Sequence, residues 1–242
     1  FLSNTSGLTE LTMRRIIKWI FISYLVILHL LMAIMLARYG LPLSVRIKLG
    51  LVAANTPFYQ SMLVYQQSVD ASLPDGTIVF LGDSITQGLA NVAVAPNSIN
   101  YGIGGQSTSQ LHESLRYYPS LPRSKVIVLT IGINDFLQHD ERGVKQRLTQ
   151  IAQALPTHVP LIWNAIMPVA AGQVDMEAVA QANEEIKRLC MQRPQCTFVD
   201  TWPLLTDQSG RIRASHYQPD GIHLSPEGYR SWIAAMKPFT PL

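Results

Sequence analysis

Four short blocks of this 242-residue chain hold side chains that can do chemistry together. The first is Gly82-Asp83-Ser84-Ile85-Thr86. The second is Asn100-Tyr101-Gly102-Ile103-Gly104-Gly105, the third Gly132-Ile133-Asn134-Asp135, and the fourth Asp220-Gly221-Ile222-His223. A serine hydroxyl is a weak nucleophile until a neighbouring base takes its proton. His223 is such a base near neutral pH, and Asp220 holds its ring in the needed tautomer. The tetrahedral intermediate of acyl transfer needs donors already in place for its oxyanion. The backbone N–H groups of Ser84 and Gly105 and the side-chain amide of Asn134 supply three. The chemistry implied is attack on an acyl carbonyl, through an acyl-enzyme, with no metal or organic cofactor.

Each block alone says little. A Gly-Asp-Ser tripeptide and an Asp-x-x-His both arise by chance. A glycine cluster is usually a turn, and Gly102-x-Gly104 lacks the third glycine of a dinucleotide loop. The information lies in all four standing in order, each behind a candidate strand.

Those strands come from apolar runs. Thr77 to Leu81, Ser98 to Tyr101, Lys125 to Ile131, Pro160 to Ile166 and Thr197 to Val199 read as strands one to five. Unbroken aliphatic strands suit a parallel sheet covered on both faces, and Trp163 in the fourth belongs to its core. Between them run helical patterns. Val144, Leu148, Ile151 and Leu155 form one stripe, and Val179, Ala182, Ile186 and Leu189 another. Tyr229, Trp232, Ile233 and Met236 form a third, behind Ser225 as N-cap and Pro226 at the first helical position. The alternation predicts a doubly wound α/β sandwich. In such a sheet the carboxyl ends of the strands share one edge, and ligands bind there.

The ordered blocks resemble the SGNH (GDSL-type) hydrolase superfamily. The resemblance covers about residues 76–238. By it, Ser84 matches the nucleophile, Gly105 the glycine of the second block, Asn134 the asparagine of the third, and Asp220 and His223 the final Asp-x-x-His. Gly104 is the neighbouring candidate for the glycine. The resemblance implies a flavodoxin-like three-layer sandwich with a five-stranded parallel sheet. It also implies a carboxylic ester hydrolase. The run Pro219 to Tyr229 looks like that of bacterial lysophospholipase- and acetylesterase-like members. An acyltransferase would use the same residues. A non-hydrolytic envelope-binding protein on this fold is the reading from another class.

The chain is 48% apolar and only 14% charged, where about 25% is usual. Its net charge of +3 is unevenly spread. Arg14, Arg15, Lys18, Arg38, Arg46 and Lys48 face only Glu10 in the first 50 residues, a net of +5. The remainder holds 13 basic and 15 acidic residues, a net of −2. A slightly acidic body without a basic run argues against nucleic acid as a partner.

From Trp19 to Ala37 no residue is charged. That run has the length of a membrane-spanning helix and is apolar all round. It is too long for a signal peptide's apolar core, and Leu36-Ala37-Arg38 is a poor cleavage site. The segment 13–38 therefore reads as an uncleaved signal anchor, and residues 1–12 as an added extension. Positive charge around Arg14-Arg15 favours the N-terminus inside. The hydrolase domain, residues 76–242, then lies outside a bacterial inner membrane and meets a small ester, lipid or acetylated sugar. Residues 39–75 connect the two. Phe58, Met62 and Tyr65 predict a helix near 57–70 whose apolar face packs on the body, the other reading being that it lies at the membrane surface. The turn Leu73-Pro74-Asp75-Gly76 marks the start of the compact domain.

Cys190 and Cys196 flank a short connection, either as a disulfide or as two buried thiols. Asp83 and Asp135 read as structural hydrogen-bonding residues. His139 is a candidate to line the pocket. His29 is a packing residue of the anchor, and His112, His158 and His216 are surface or loop residues.

Overall fold

A computed structural model describes residues 5–39 and 56–240. The chain divides into two compact units, Phe1–Ala54 and Asn55–Leu242.

The first unit contains helix α1, Thr5–Tyr39. Its stretch Met13–Met32 is long and apolar enough to cross a membrane, alone in this among the described residues. The His29 ring bonds through Nδ1 to the Leu25 carbonyl one turn back, at 2.6 Å. Its polar atom is thus satisfied within the helix. Residues 1–4 of the expected extension, and the connector 40–55 with Arg46 and Lys48, lie outside the described residues.

The second unit is an α/β sandwich. Strands β1 (Ile78–Gly82), β2 (Ser98–Gly102), β3 (Val126–Thr130), β4 (Leu161–Asn164) and β5 (Cys196–Val199) form one sheet. All pairs are parallel and the order is β2-β1-β3-β4-β5. Every residue of β1, β3 and β4 is buried, as expected of strands whose two faces are both covered. The chain leaves β1 for β2 on one side and returns to β3 on the other. This is the reversal at which a crevice opens beyond the strand ends. Register makes that edge level, because Gly82 pairs with Gly102 on one side and Thr130 on the other.

Among the described residues, seven further α-helices follow the strands: α3 (Ser84–Gln87), α4 (Thr108–Ser114), α5 (Ile133–Leu137), α6 (Val144–Ala154), α7 (Met176–Gln192), α8 (Trp202–Leu205) and α9 (Pro226–Met236). The long ones lie where the apolar stripes predict. Val144, Leu148 and Ile151 of α6 are buried, as are Val179, Ala182, Ile186 and Leu189 of α7. Helix α4 packs on α6, and α6 on α7. At the start of α9 the Ser225 hydroxyl accepts the Gly228 N–H at 3.2 Å. Trp163 is fully buried.

Between α1 and β1 stands helix α2, Pro57–Asp70, which the Thr56 side chain caps. It belongs to the second unit, so the Leu73–Gly76 turn lies inside that unit, not at its border. The helix also packs by a different face from the one its apolar spacing suggests. Phe58 and Tyr65 are exposed, at 49% and 64%. The buried residues are Tyr59, Gln66 and Asp70. Hydrogen bonds explain the choice. The Tyr59 hydroxyl donates to the Gln110 carbonyl at 2.9 Å, and Tyr118 donates to the Gln66 side chain at 2.5 Å. The Asp70 carboxylate takes the Tyr101 hydroxyl at 3.1 Å and the Ser120 N–H at 2.9 Å, together with the Ser120 hydroxyl. Buried polar groups that find partners across a dry interface hold more firmly than an apolar stripe that stays wet.

Cys190 at the end of α7 and Cys196 at the start of β5 are joined by a disulfide.

Candidate active site

Ser84 opens helix α3, two residues beyond the end of β1. The Asp83 side chain caps this helix by accepting the Ile85 N–H at 3.0 Å. The Tyr229 hydroxyl of α9 donates to the Ile85 carbonyl at 2.9 Å and fixes α3 from the other side. Close packing at the strand end demands glycine. A methyl group on Gly102 would lie 2.3 Å from the Gln87 backbone nitrogen, so the end of β2 can meet α3 only without a side chain.

His223 arrives on the loop behind α8. The isolated pairing of Tyr217 with Leu224 ties the two ends of the Asp220–His223 segment together. The Tyr217 hydroxyl anchors this loop to the Pro168 carbonyl at 2.6 Å. The Asp220 carboxylate accepts the Ile222 and His223 backbone N–H groups through Oδ1, at 2.9 and 3.0 Å. Its Oδ2 lies 2.6 Å from His223 Nδ1, and His223 Nε2 lies 2.9 Å from Ser84 Oγ. The imidazole bond, helped by the backbone N–H bonds, holds the Asp220 carboxyl down at about 2. An ionised Asp220 accepts Nδ1–H, which leaves the Nε2 lone pair facing the serine hydroxyl.

The second block forms the loop from Ile103 to Ser107. Gly105 has φ +76°, a left-handed conformation that suits glycine. Three side-chain amides grip this loop. Gln87 Oε1 accepts the Gly104 N–H at 2.7 Å, Gln138 Nε2 donates to the Gly105 carbonyl at 3.1 Å, and Asn134 Nδ2 donates to the Gln106 carbonyl at 3.1 Å. The bond from Gln87 occupies the N–H of Gly104. Among the described residues the N–H groups of Ser84 and Gly105 have no hydrogen-bond acceptor. Of the two adjacent glycines, Gly105 is thus the one with a donor to spare. Asn134 retains its second amide hydrogen.

Asn134 sits in the first turn of α5, and its neighbour Asp135 fixes that helix. The Asp135 carboxylate accepts the Thr108 N–H at 2.9 Å, the Thr108 hydroxyl at 2.5 Å and Arg147 at 3.0 Å. Burial pushes its carboxyl up, against the pull of Thr108 and Arg147.

Ser84, Asp220, His223, Gly105 and Asn134 therefore meet at one strand edge. His139 is exposed, with φ 57°. His158 bonds to the Pro122 carbonyl and His216 to Ser215 and Ser231, outside this constellation. Sequence reasoning missed Gln87, Gln138, Arg147 and Tyr229. Only Gln87 carries a signal, standing within a turn of Ser84 on the same helix.

Asp83 is fully buried beside Ser84, and desolvation raises its carboxyl to about 7 despite the Ile85 N–H and the nearby His223. The native state then holds this proton more tightly than the unfolded chain. The stability it contributes is complete below about pH 4 and is lost as pH rises through 7. The loss is up to about 4 kcal/mol for a shift of roughly three pH units. Asp83→Asn is expected to flatten the fall in stability between pH 5 and 8. Urea denaturation of both proteins at the two pH values checks this, and parallel slopes would contradict it.

Comparison with known proteins places this geometry. The model of the GDSL-like lipase/acylhydrolase family matches residues 80–231. No curated protein matches the chain by sequence. Among solved structures, a Streptococcus pneumonia protein named for platelet activating factor superposes with a TM-score of 0.69 at 23% identity. The match covers 75% of this chain and 92% of that one. A GDSL-like lipase from Bacteroides thetaiotaomicron gives 0.57 at 19% identity, covering 74% and 97%. A member of the lipolytic G-D-S-L family from Veillonella parvula gives 0.54 at 22%, covering 66% and 95%. These likenesses show a shared fold. The family match spans more than half of the chain and takes in all four blocks. The chain belongs to the GDSL-like lipase/acylhydrolase family of carboxylic ester hydrolases.

Proposed function

We propose that the protein is a membrane-anchored serine hydrolase of acyl esters, with Ser84, His223 and Asp220 as its catalytic residues. The observation that carries this reading is the unbroken relay from Ser84 Oγ to His223 Nε2 at 2.9 Å and from Nδ1 to Asp220 at 2.6 Å. Ser84 Oγ attacks the ester carbonyl carbon as its proton passes to Nε2. The oxyanion takes the N–H groups of Ser84 and Gly105 and the free amide hydrogen of Asn134. Collapse expels the alcohol, which leaves with the proton from Nε2 and gives the acyl-enzyme. Water then attacks the acyl carbon, its proton passes to Nε2, and the acid departs as Ser84 regains a hydrogen.

The substrate is a lipid acyl ester or an O-acetyl group. The apolar stretch Met13–Met32 supports an anchor beside lipid. The Cys190–Cys196 disulfide supports a catalytic unit on the oxidising side of a bacterial inner membrane. Labelling with a fluorophosphonate tests the nucleophile. One equivalent should attach to the folded full chain, at Ser84. A folded chain that stays unlabelled would overturn the reading in favour of a binding protein. Alkaline phosphatase fused to the C-terminus should be active. An inactive fusion beside an active cytoplasmic reporter would reverse the topology.

A further inference from the structure

The exposed apolar face of α2 begins beside the nucleophile. A methyl group on Gly104 would lie 3.1 Å from Gln87 Oε1, 3.6 Å from Phe58 Cε1 and 3.9 Å from Ser84 Cβ. The edge of the Phe58 ring and the reactive serine therefore flank a single glycine. Phe58 is nonetheless 49% exposed, so its ring has surface to offer. It is followed on the same side of the helix by Met62, half-buried, and Tyr65, exposed. These three stand at i, i+4 and i+7, which aligns them along about 10 Å of helix axis. The adjacent face, about a quarter turn round the helix, holds it to the body through Tyr59, Gln66 and Asp70.

The tetrahedral intermediate assigns the surroundings of Ser84. The leaving oxygen must face His223 Nε2, which returns a proton to it. The oxyanion must face Gly105 and Asn134. The acyl substituent is left with the side bordered by Gly104 and Phe58. Gly104 has no side chain to block that side, and a methyl there would touch the ring as well as the serine and Gln87.

We propose that Phe58 is the wall of the acyl site, and that Met62 and Tyr65 extend it into a track for an acyl chain longer than acetyl. This rests on Ser84 being the nucleophile. It goes further by naming the side of the ester that is selected and a helix, outside residues 80–231 of the family match, that selects it.

The test uses the full chain in nanodiscs with p-nitrophenyl acetate, butyrate and octanoate. Wild type should prefer octanoate in kcat/KM. Phe58→Ala should lower the octanoate-to-acetate ratio about five- to tenfold, as loss of roughly half a buried phenyl contact requires. Phe58→Gln, which keeps bulk but not apolarity, should lower it similarly. Tyr65→Ser should lower it about twofold. Fluorophosphonate labelling of each variant reports an intact Ser84. A labelled, active Phe58→Ala protein with an unchanged ratio would overturn the wall alone. So would a discrimination that shifts with the length of the alcohol and not of the acyl group. A wild-type chain that neither turns over esters nor takes the probe would overturn the serine hydrolase reading first.

Discussion

Ser84→Ala is expected to lower ester turnover on the order of 10⁴–10⁶-fold. Its hydroxyl is the one group placed both to attack and to surrender a proton to His223 Nε2, 2.9 Å away. Little else should change. Asp83, not Ser84, caps α3, so the variant keeps the helix and should melt within a few degrees of wild type. Residual activity should survive, since the oxyanion donors and the relay behind the serine remain. Initial rates on p-nitrophenyl acetate, beside a thermal melt, separate the two effects. Turnover close to wild type in a folded Ser84→Ala protein would remove the serine from the mechanism.

Asn134→Ala is expected to cost on the order of 10²–10³ in kcat, the size seen when one oxyanion donor is removed. The variant also loses the bond from Asn134 Nδ2 to the Gln106 carbonyl. Two causes could then give the same slow enzyme, a missing donor or a displaced loop. Gln138→Ala distinguishes them. It removes a grip on the same loop, at the Gly105 carbonyl, but contributes no donor to the oxyanion. If Asn134 is a donor, its loss should lower kcat with little change in KM, and by at least tenfold more than loss of Gln138. Equal effects would make Asn134 a positioning residue instead.

The sequence carried the sheet and the long helices because their signals are local. The runs in β1 and β3 are unbroken aliphatics, and the stripes on α6 and α7 repeat at helical spacing. The five candidate site residues stood out for another reason: Ser84, Gly105 and Asn134 follow closely behind strands, and parallel strands deliver such residues to one edge, while Asp220 and His223 carry their own Asp-x-x-His spacing on the loop after α8. The bracing was not legible. Gln87 and Gln138 each act through one hydrogen bond to the 104–106 loop, Arg147 ties Thr108 and Asp135 to its own surroundings through several, and amide or guanidinium side chains carry no positional code. Helix α2 misled in a specific way. Phe58, Met62 and Tyr65 display the spacing of a packing face, while Gln66 and Asp70 look like solvent residues. The Asp70 carboxylate finds Tyr101 and Ser120 only in the folded chain, and that turns the packing face about a quarter turn from the apolar stripe.

The grip of Gln87, Asn134 and Gln138 on the 104–106 loop bears on how catalysis is divided between folding and turnover. In water, dipoles must swing toward a charge as it forms, and that reorientation is part of the barrier. If the Gly105 N–H serves the oxyanion as proposed, it is aimed before any substrate arrives, and a loop held at three points has little freedom to relax. The reorganisation is completed when the chain folds, so it is not repeated at each catalytic cycle. One consequence is thermodynamic. Variants that loosen the loop should bind a charged tetrahedral mimic such as a boronate with a less favourable entropy, even where the number of bonds to it is unchanged.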